Sequence, residues 1–263
     1  MKLVMMSQKT KIKLALLISG GGTTMEAIIK ACLPAGRRAG TGYIKAEPVL
    51  VIASKPDAGG VEKARALGIP EKDILIINPK DFKNREEFGE IIIKECKKRK
   101  VNLIGQYGWM VKTPDKVIDA FPNMIINQHP GPLDPNGNGD FGGAGMFGMR
   151  VHQARLEFVK KVNRPARAGG DFWTEATAHR VTSEFDKGAI LKRKQVPIFP
   201  SDTAETLQAR VLPVEHEVQI ETLRDFANGI VSEYKREIPL VLPGEEKILE
   251  ECKEEAKKLY SNG

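Results

Sequence analysis

Cysteine is scarce. The 263 residues hold three, Cys32, Cys96 and Cys252, far apart in sequence. An odd, dispersed set excludes a disulfide framework, and the spacings suit no zinc site. Reduced thiols and no metal are therefore expected. Aromatic residues make up only 6% of the chain, which leaves few platforms for stacking nucleic-acid bases. No apolar run is long enough to cross a bilayer. The opening MKLVMMSQKTKIK is too short in apolar residues for a signal peptide. The expected location is the cytoplasm, with no membrane partner. Internal repeats and the P-loop pattern are missing too, and the glycine turn between the first strand and its helix, SGGGTT, lacks the third glycine of the dinucleotide fingerprint, which disfavours a nicotinamide dehydrogenase.

What is present is ordinary for a globular protein: 41% hydrophobic and 29% charged residues. The length suits one large α/β domain or two small ones and buries a real core. Net charge is +7. A basic RNA-binding protein is one reading of that surplus. Yet the basic residues are spread out, and the densest cluster, Lys97 to Lys100, ends a predicted helix, where cations complement the dipole. A solvated helix end is expected there, and nucleic acid is not an expected partner. A basic surplus also suits ligands that carry phosphate or carboxylate.

Apolar runs and helical spacings alternate along the first half. KLALLISG, EPVLVIAS, DILIIN, VNLIGQYG and NMIINQ read as strands, with helices between them. The pattern predicts an α/β fold, a Rossmann-like, mostly parallel sheet with flanking helices. Ligands then bind at the strands' carboxyl ends, so Gly20–Gly22, Tyr107–Trp109 and Asn127–His129 should share one edge. TEATAHRVTSEFDKGAILKRKQVPIF predicts a C-terminal β-hairpin with Gly188 in its turn. A long helix follows, with Pro213 as a candidate kink and Gly229 as a stop. The tail reads as a short apolar segment and a charged helix.

Two constellations carry chemistry. In SGGGTT, glycines between a strand and a helix leave backbone N–H groups free at a helix N-terminus, which makes an anion site. A tight turn without a ligand is the alternative. Asn127 and His129 stand two residues apart at a strand end, and Asp186 lies in the hairpin turn. An amide and a protonated imidazole can hold a developing oxyanion, and a nearby carboxylate favours the imidazolium. That chemistry suits acyl transfer through a tetrahedral intermediate. From residue types alone, a histidine that is merely a satisfied polar side chain remains open.

LALLISGGGTTMEAII, INQHP, ATAHRVTSEFDKGAIL and ARVLPVEHEV, in that order, resemble the folate-dependent formyltransferase family, in particular its branch that acts on glycinamide ribonucleotide in purine synthesis. The likeness runs from Lys13 to Gly229. It implies a formyltransferase domain over residues 1–229, with a glycine-rich insertion at about 131–149, and a helical extension over 230–263. It implies 10-formyltetrahydrofolate as co-substrate and glycinamide ribonucleotide as acceptor. Asn127, His129 and Asp186 would be catalytic. Gly21, Gly22, Thr23 and Thr24 would bind the substrate phosphate, and Glu215 the glycinamide end. Arg85, Met110, Val111, Thr182, Ser183, Glu184 and Phe185 would line the folate site. His179 would support the active-site strand, and His152 would lie on the helix after the insertion.

The chain departs from the family at several places. Gly131 replaces a serine, Val111 an arginine and Leu212 a glutamine, and TEAT stands for H-G-T-S. Part of the extra length lies after Gly131 and part in VKKVNRPARAGGDFW. These changes bear on the acceptor, so another amine acceptor or a formyltetrahydrofolate hydrolase is the alternative. The hydrolases carry a preceding regulatory domain, whereas this sequence begins with the first strand. Methionyl-tRNA and sugar-nucleotide formyltransferases open with a different loop. The insertion is expected to be either a variable surface loop or a lid that keeps water from the formyl group. The tail is expected to pack on its own domain or to form a homodimer.

Overall fold

The computed structural model describes residues 11–33, 44–162 and 172–261. Seven strands form one sheet: β1 (Ile12–Ile18), β2 (Ala46–Ala53), β3 (Ile74–Ile76), β4 (Leu103–Gln106), β5 (Ile125–His129), β6 (Trp173–Arg180) and β7 (Ile190–Pro197). Their order is β3-β2-β1-β4-β5-β6-β7. β1 to β5 pair in parallel, and β6 and β7 are antiparallel. The helices are α1 (Thr23–Cys32), α2 (Gly60–Ala66), α3 (Arg85–Lys98), α4 (Asp115–Ala120), α5 (Met149–Val162), α6 (Ala204–Asn228) and α7 (Glu246–Leu259). The expected α/β fold with its mostly parallel sheet is thus present, as are the hairpin and the long helix.

The chain divides into two compact units. The first comprises Met1–Gln128, Arg180–Ser183 and Gln219–Ser232. Central strand β1 is covered on both faces, which is why it reads as an almost continuous apolar run. Leu17, Ile52, Ile104, Phe88 and Trp109 share one core cluster, and the Phe88 and Trp109 rings stack at 6.4 Å. The α3 start is a side-chain cap, with Asn84 Oδ1 accepting from the Glu87 N–H at 2.9 Å. At its end Arg99 does not join a solvated basic patch. Its guanidinium pairs with Asp73 at 2.8 Å and with Glu95 at 2.5 Å, while Lys97, Lys98 and Lys100 are exposed.

The second unit comprises His129–His179, Glu184–Val218 and Glu233–Gly263. Ala176, Ala178 and Val196 of the hairpin pack on Leu207 and Val211 of α6. That helix runs without interruption through Pro213, and Gly229, in the left-handed region, ends it. A second cluster joins the insertion to the tail. Phe141 and Met146 pack with Val151, Ala154 and Phe158 of α5 and with Leu240, Val241, Leu249, Cys252 and Ala256. The tail helix α7 therefore covers α5 within this unit. The insertion is not a free loop: Gly131 to Asp134, Asp140 to Gly142 and Met146 are buried, and its exposed residues are 136–138, 144 and 145. Residues 163–171, the rest of the expected extra length, lie outside the described residues.

Candidate functional site

In the first unit, parallel β1, β4 and β5 lie side by side, so their carboxyl ends fall on one edge. The Ser19 N–H donates to Gly108 O at 3.0 Å, and Ser19 Oγ accepts from the Met110 N–H at 2.9 Å. These bonds tie the loop after β1 to the loop after β4. Asn127 is the register partner of Gln106 on the same edge.

The glycine turn has a specific architecture. Gly22 caps α1 in the left-handed conformation, φ 65°, with no side-chain cap. A Cβ there would sit 2.7 Å from Gly60 Cα, whereas one on Gly20 or Gly21 would meet nothing within 4 Å. The sharp turn leaves the first N–H groups of α1 to the loop, beside exposed Gly21 and Thr23 and buried Thr24. With the helix dipole behind them they suit an anion.

The other expected residues of this unit are dispersed along it. Met110 is 51% exposed, while Val111 packs against the core cluster. Arg85 is exposed as the first residue of α3, where a cation opposes the dipole rather than stabilising the helix. Thr182 and Ser183 are exposed after β6.

His129 and Asp186 belong to the second unit, and they meet. His129 Nδ1 lies 3.7 Å from Asp186 Oδ2, and Nε2 is 3.1 Å from Phe141 O. His179 Nε2 lies 3.4 Å from the other carboxylate oxygen, Oδ1. The Gly143 N–H donates to Asp186 Oδ2 at 2.9 Å. The turn before β7 places Asp186 itself, rather than Gly188, in the left-handed region, at φ 59°. An aspartate tolerates that conformation better than most residues. Glu184 and Phe185, in the same turn, are exposed.

Both nitrogens of His129 face oxygen acceptors, so the imidazolium alone could donate to both. Burial opposes it. The net direction for His129 is downward, because loss of solvent outweighs the pull of Asp186. Asp186 does pull this group upward, as expected, but burial is the larger effect. Burial also works to raise Asp186. His129, His179 and the Gly143 amide prevail and hold its carboxyl well below the usual carboxylate range. The site therefore contains a fixed anion behind a buried imidazole, an arrangement that can orient and stabilise a proton donor.

Two further groups stand out. Burial alone pushes the Glu215 carboxyl, on α6, up to about 7. His152 does lie on a helix, α5, and is buried. Burial, and then the neighbouring charge of His129, push it down to about 4.

The residue types missed in the sequence are those that fix the insertion. Asp140 Oδ1 accepts from the Gly142 N–H at 3.0 Å, and Oδ2 from the Asp134 N–H at 3.1 Å and from Lys187 Nζ at 3.2 Å. Asp134 Oδ2 accepts from the Leu240 N–H at 3.1 Å. Glu175, fully buried on β6, pairs with both Arg193 and Arg236. The only signal for any of them was an aspartate among glycines in GNGDFGG, which reads equally as turn chemistry. The Gly131 departure also has a cause: a Cβ there would lie 2.4 Å from Val151 Cγ1.

Residues 12–223 match the family model described as Formyl transferase. Over 234 residues the chain is 30% identical to the chloroplastic phosphoribosylglycinamide formyltransferase of Arabidopsis thaliana, covering 87% of this chain and 70% of that protein. It is 31% identical over 217 residues to the phosphoribosylglycinamide formyltransferase of Haemophilus influenzae, covering 82% and 88%. Among solved structures, glycinamide ribonucleotide transformylase 1 from Symbiobacterium toebii superposes with a TM-score of 0.67 at 31% identity, covering 83% and 88%. The chain belongs to the formyl transferase family.

Proposed function

We propose that this protein transfers the formyl group of 10-formyltetrahydrofolate to the amine of glycinamide ribonucleotide, with Asn127, His129 and Asp186 as its catalytic residues. The observation that carries the reading is the pairing of His129 with the Asp186 carboxylate, where His129 sits on a strand that also presents Asn127 two residues earlier.

The amine lone pair attacks the formyl carbon, and the carbonyl π electrons move to oxygen. The Asn127 amide donates to that oxyanion, and so does His129 Nε2, which exchanges its contact with Phe141 O for the substrate oxygen. The attacking nitrogen loses a proton, the C–N bond to the folate breaks, and the folate nitrogen gains a proton. Asp186 favours the charged form of His129 as the oxyanion develops and helps carry the proton through water. One oxyanion donor is worth about two to three orders of magnitude in turnover, and acid–base help about two to four.

In this reading the backbone amides and hydroxyls of Gly21, Gly22, Thr23 and Thr24 take the substrate phosphate. Glu215, with its carboxyl pushed up to about 7, accepts a hydrogen bond from the amine end. Met110, Val111, Thr182, Ser183, Glu184 and Phe185 line the folate site, and Arg85 meets the acidic tail of the folate. His179 supports Asp186. Residues 1–229 act as the catalytic domain, with 230–263 as an extension, and the protein works in the cytoplasm.

The test is tetrahydrofolate release from 10-formyltetrahydrofolate, with and without glycinamide ribonucleotide, followed by the mass of the nucleotide. Release that needs the nucleotide, with a formyl mass gained, is the expected result. Release without it would make the protein a hydrolase. No release in either case would overturn the reading.

A further inference from the structure

The family match stops at residue 223, yet the chain beyond it reaches back to the insertion. Arg236 Nε donates to Leu133 O at 2.6 Å. Asn138 Nδ2 donates to Val241 O at 3.3 Å, and the Leu240 N–H donates to Asp134. The insertion in turn supplies two backbone groups to the candidate pair: Phe141 O for His129 and the Gly143 N–H for Asp186.

One side chain stands between these two sets of contacts. The Asp140 carboxylate is 2% exposed. It accepts from the Asp134 N–H, close to the tail contacts, and from the Gly142 N–H, next to the residue that holds Asp186. The fit around it is close. A Cβ on Gly142 would lie 2.7 Å from Asp186 Cβ and 2.7 Å from Leu133 Cδ2, so the two peptides that flank Gly142, one carrying Phe141 O and the other the Gly143 N–H, have little room to shift. A buried carboxylate costs free energy unless it is paired and hydrogen-bonded. Here it bonds two amides of the insertion and, from the turn before β7, Lys187.

We infer that Asp140 is a positioning residue: it fixes the Phe141–Gly143 peptides against His129 and Asp186, and the C-terminal segment braces the same clamp through Asp134 and Leu133. The inference rests on the proposed roles of His129 and Asp186. Asp140 and Asp186 both place negative charge near His129, while His179 acts in the opposite sense, and Lys187 offsets part of the Asp140 charge. Asn in its place keeps one acceptor oxygen but turns an amide NH2 toward an N–H donor, so one of the two backbone bonds must open.

The experiment compares full-length wild type, Asp140→Asn, Lys187→Met and, as a control for lost stability alone, Val196→Ala in the hairpin core. Amide hydrogen exchange at Gly142 and Gly143 is followed without ligands, and kcat and KM are measured for both substrates. In Asp140→Asn the Gly143 amide should exchange at least about tenfold faster, and kcat should fall by about 10²-fold, with KM changed by less than about threefold. Lys187→Met should give a smaller loss of the same kind. Val196→Ala should lower the melting temperature and leave Gly143 exchange and kcat near wild type. Unchanged Gly143 exchange in Asp140→Asn would overturn the inference, as would an equal loss in Val196→Ala. If wild type transfers no formyl group, the functional reading fails, and the exchange data still decide the clamp.

Discussion

His129 and Asp186 lie 3.7 Å apart, with both side chains almost wholly out of solvent. Neither residue reaches that position by its own strand geometry alone. Asp186 adopts a left-handed backbone in the turn before β7, and the Gly143 N–H holds one of its oxygens. The pair is assembled by the hairpin turn and the insertion together, all within the second unit.

Gly131 should resist the serine that the family carries there. A Cβ at 131 overlaps Val151 Cγ1 at 2.4 Å, and forcing extra volume into a packed site costs about 1–3 kcal/mol. Gly131→Ser should lower the urea midpoint accordingly. Gly131→Ser combined with Val151→Ala should recover much of that loss. Additive losses in the double variant would show that Val151 is not the obstacle.

The glycines after β1 should not be equivalent. Gly22→Ala puts a side chain at φ 65° and 2.7 Å from Gly60 Cα, so it should cost at least about 1 kcal/mol and raise KM for the nucleotide. Gly21→Ala meets nothing within 4 Å and should leave the melting temperature near wild type. Equal melting temperatures for the two variants would contradict the turn described above.

Glu215 makes stability depend on pH in a known direction. Its folded carboxyl is pushed up to about 7 from an ordinary 4.5. The favourable contribution of the neutral form is complete below about 4.5 and is lost as pH rises through about 7. At pH 8 the buried carboxylate opposes folding by about 3 kcal/mol at most. Glu215→Gln should therefore be more stable than wild type at pH 8, with the gain fading toward pH 5. Chemical denaturation at the two pH values measures it; a gain independent of pH would remove the burial argument.

Much of the fold was legible in the sequence, for a physical reason. Both faces of central strand β1 are covered, so KLALLISG stands out as an almost continuous apolar run, and Gly229 marks the end of α6. The glycine-rich stretch was harder. Composition describes backbone freedom, and Gly137 to Gly145 reads as mobile, but the partners that remove the freedom are distant in sequence. Leu240, Val241 and Arg236 come from about a hundred residues downstream. Glu175 is a similar case: nothing local tells that two arginines will meet it. The charge balance at His129 was read only in part, since a nearby carboxylate is visible in a motif and full burial is not.

The central claim is that Asn127 and the His129–Asp186 pair perform the transfer. The most direct test is turnover of Asn127→Ala and Asp186→Asn, with nucleotide and folate affinities measured alongside. The account predicts that each variant stays folded, binds both ligands within about threefold of wild type, and loses two to three orders of magnitude or more in kcat. Either variant retaining more than about a tenth of wild-type turnover would contradict it.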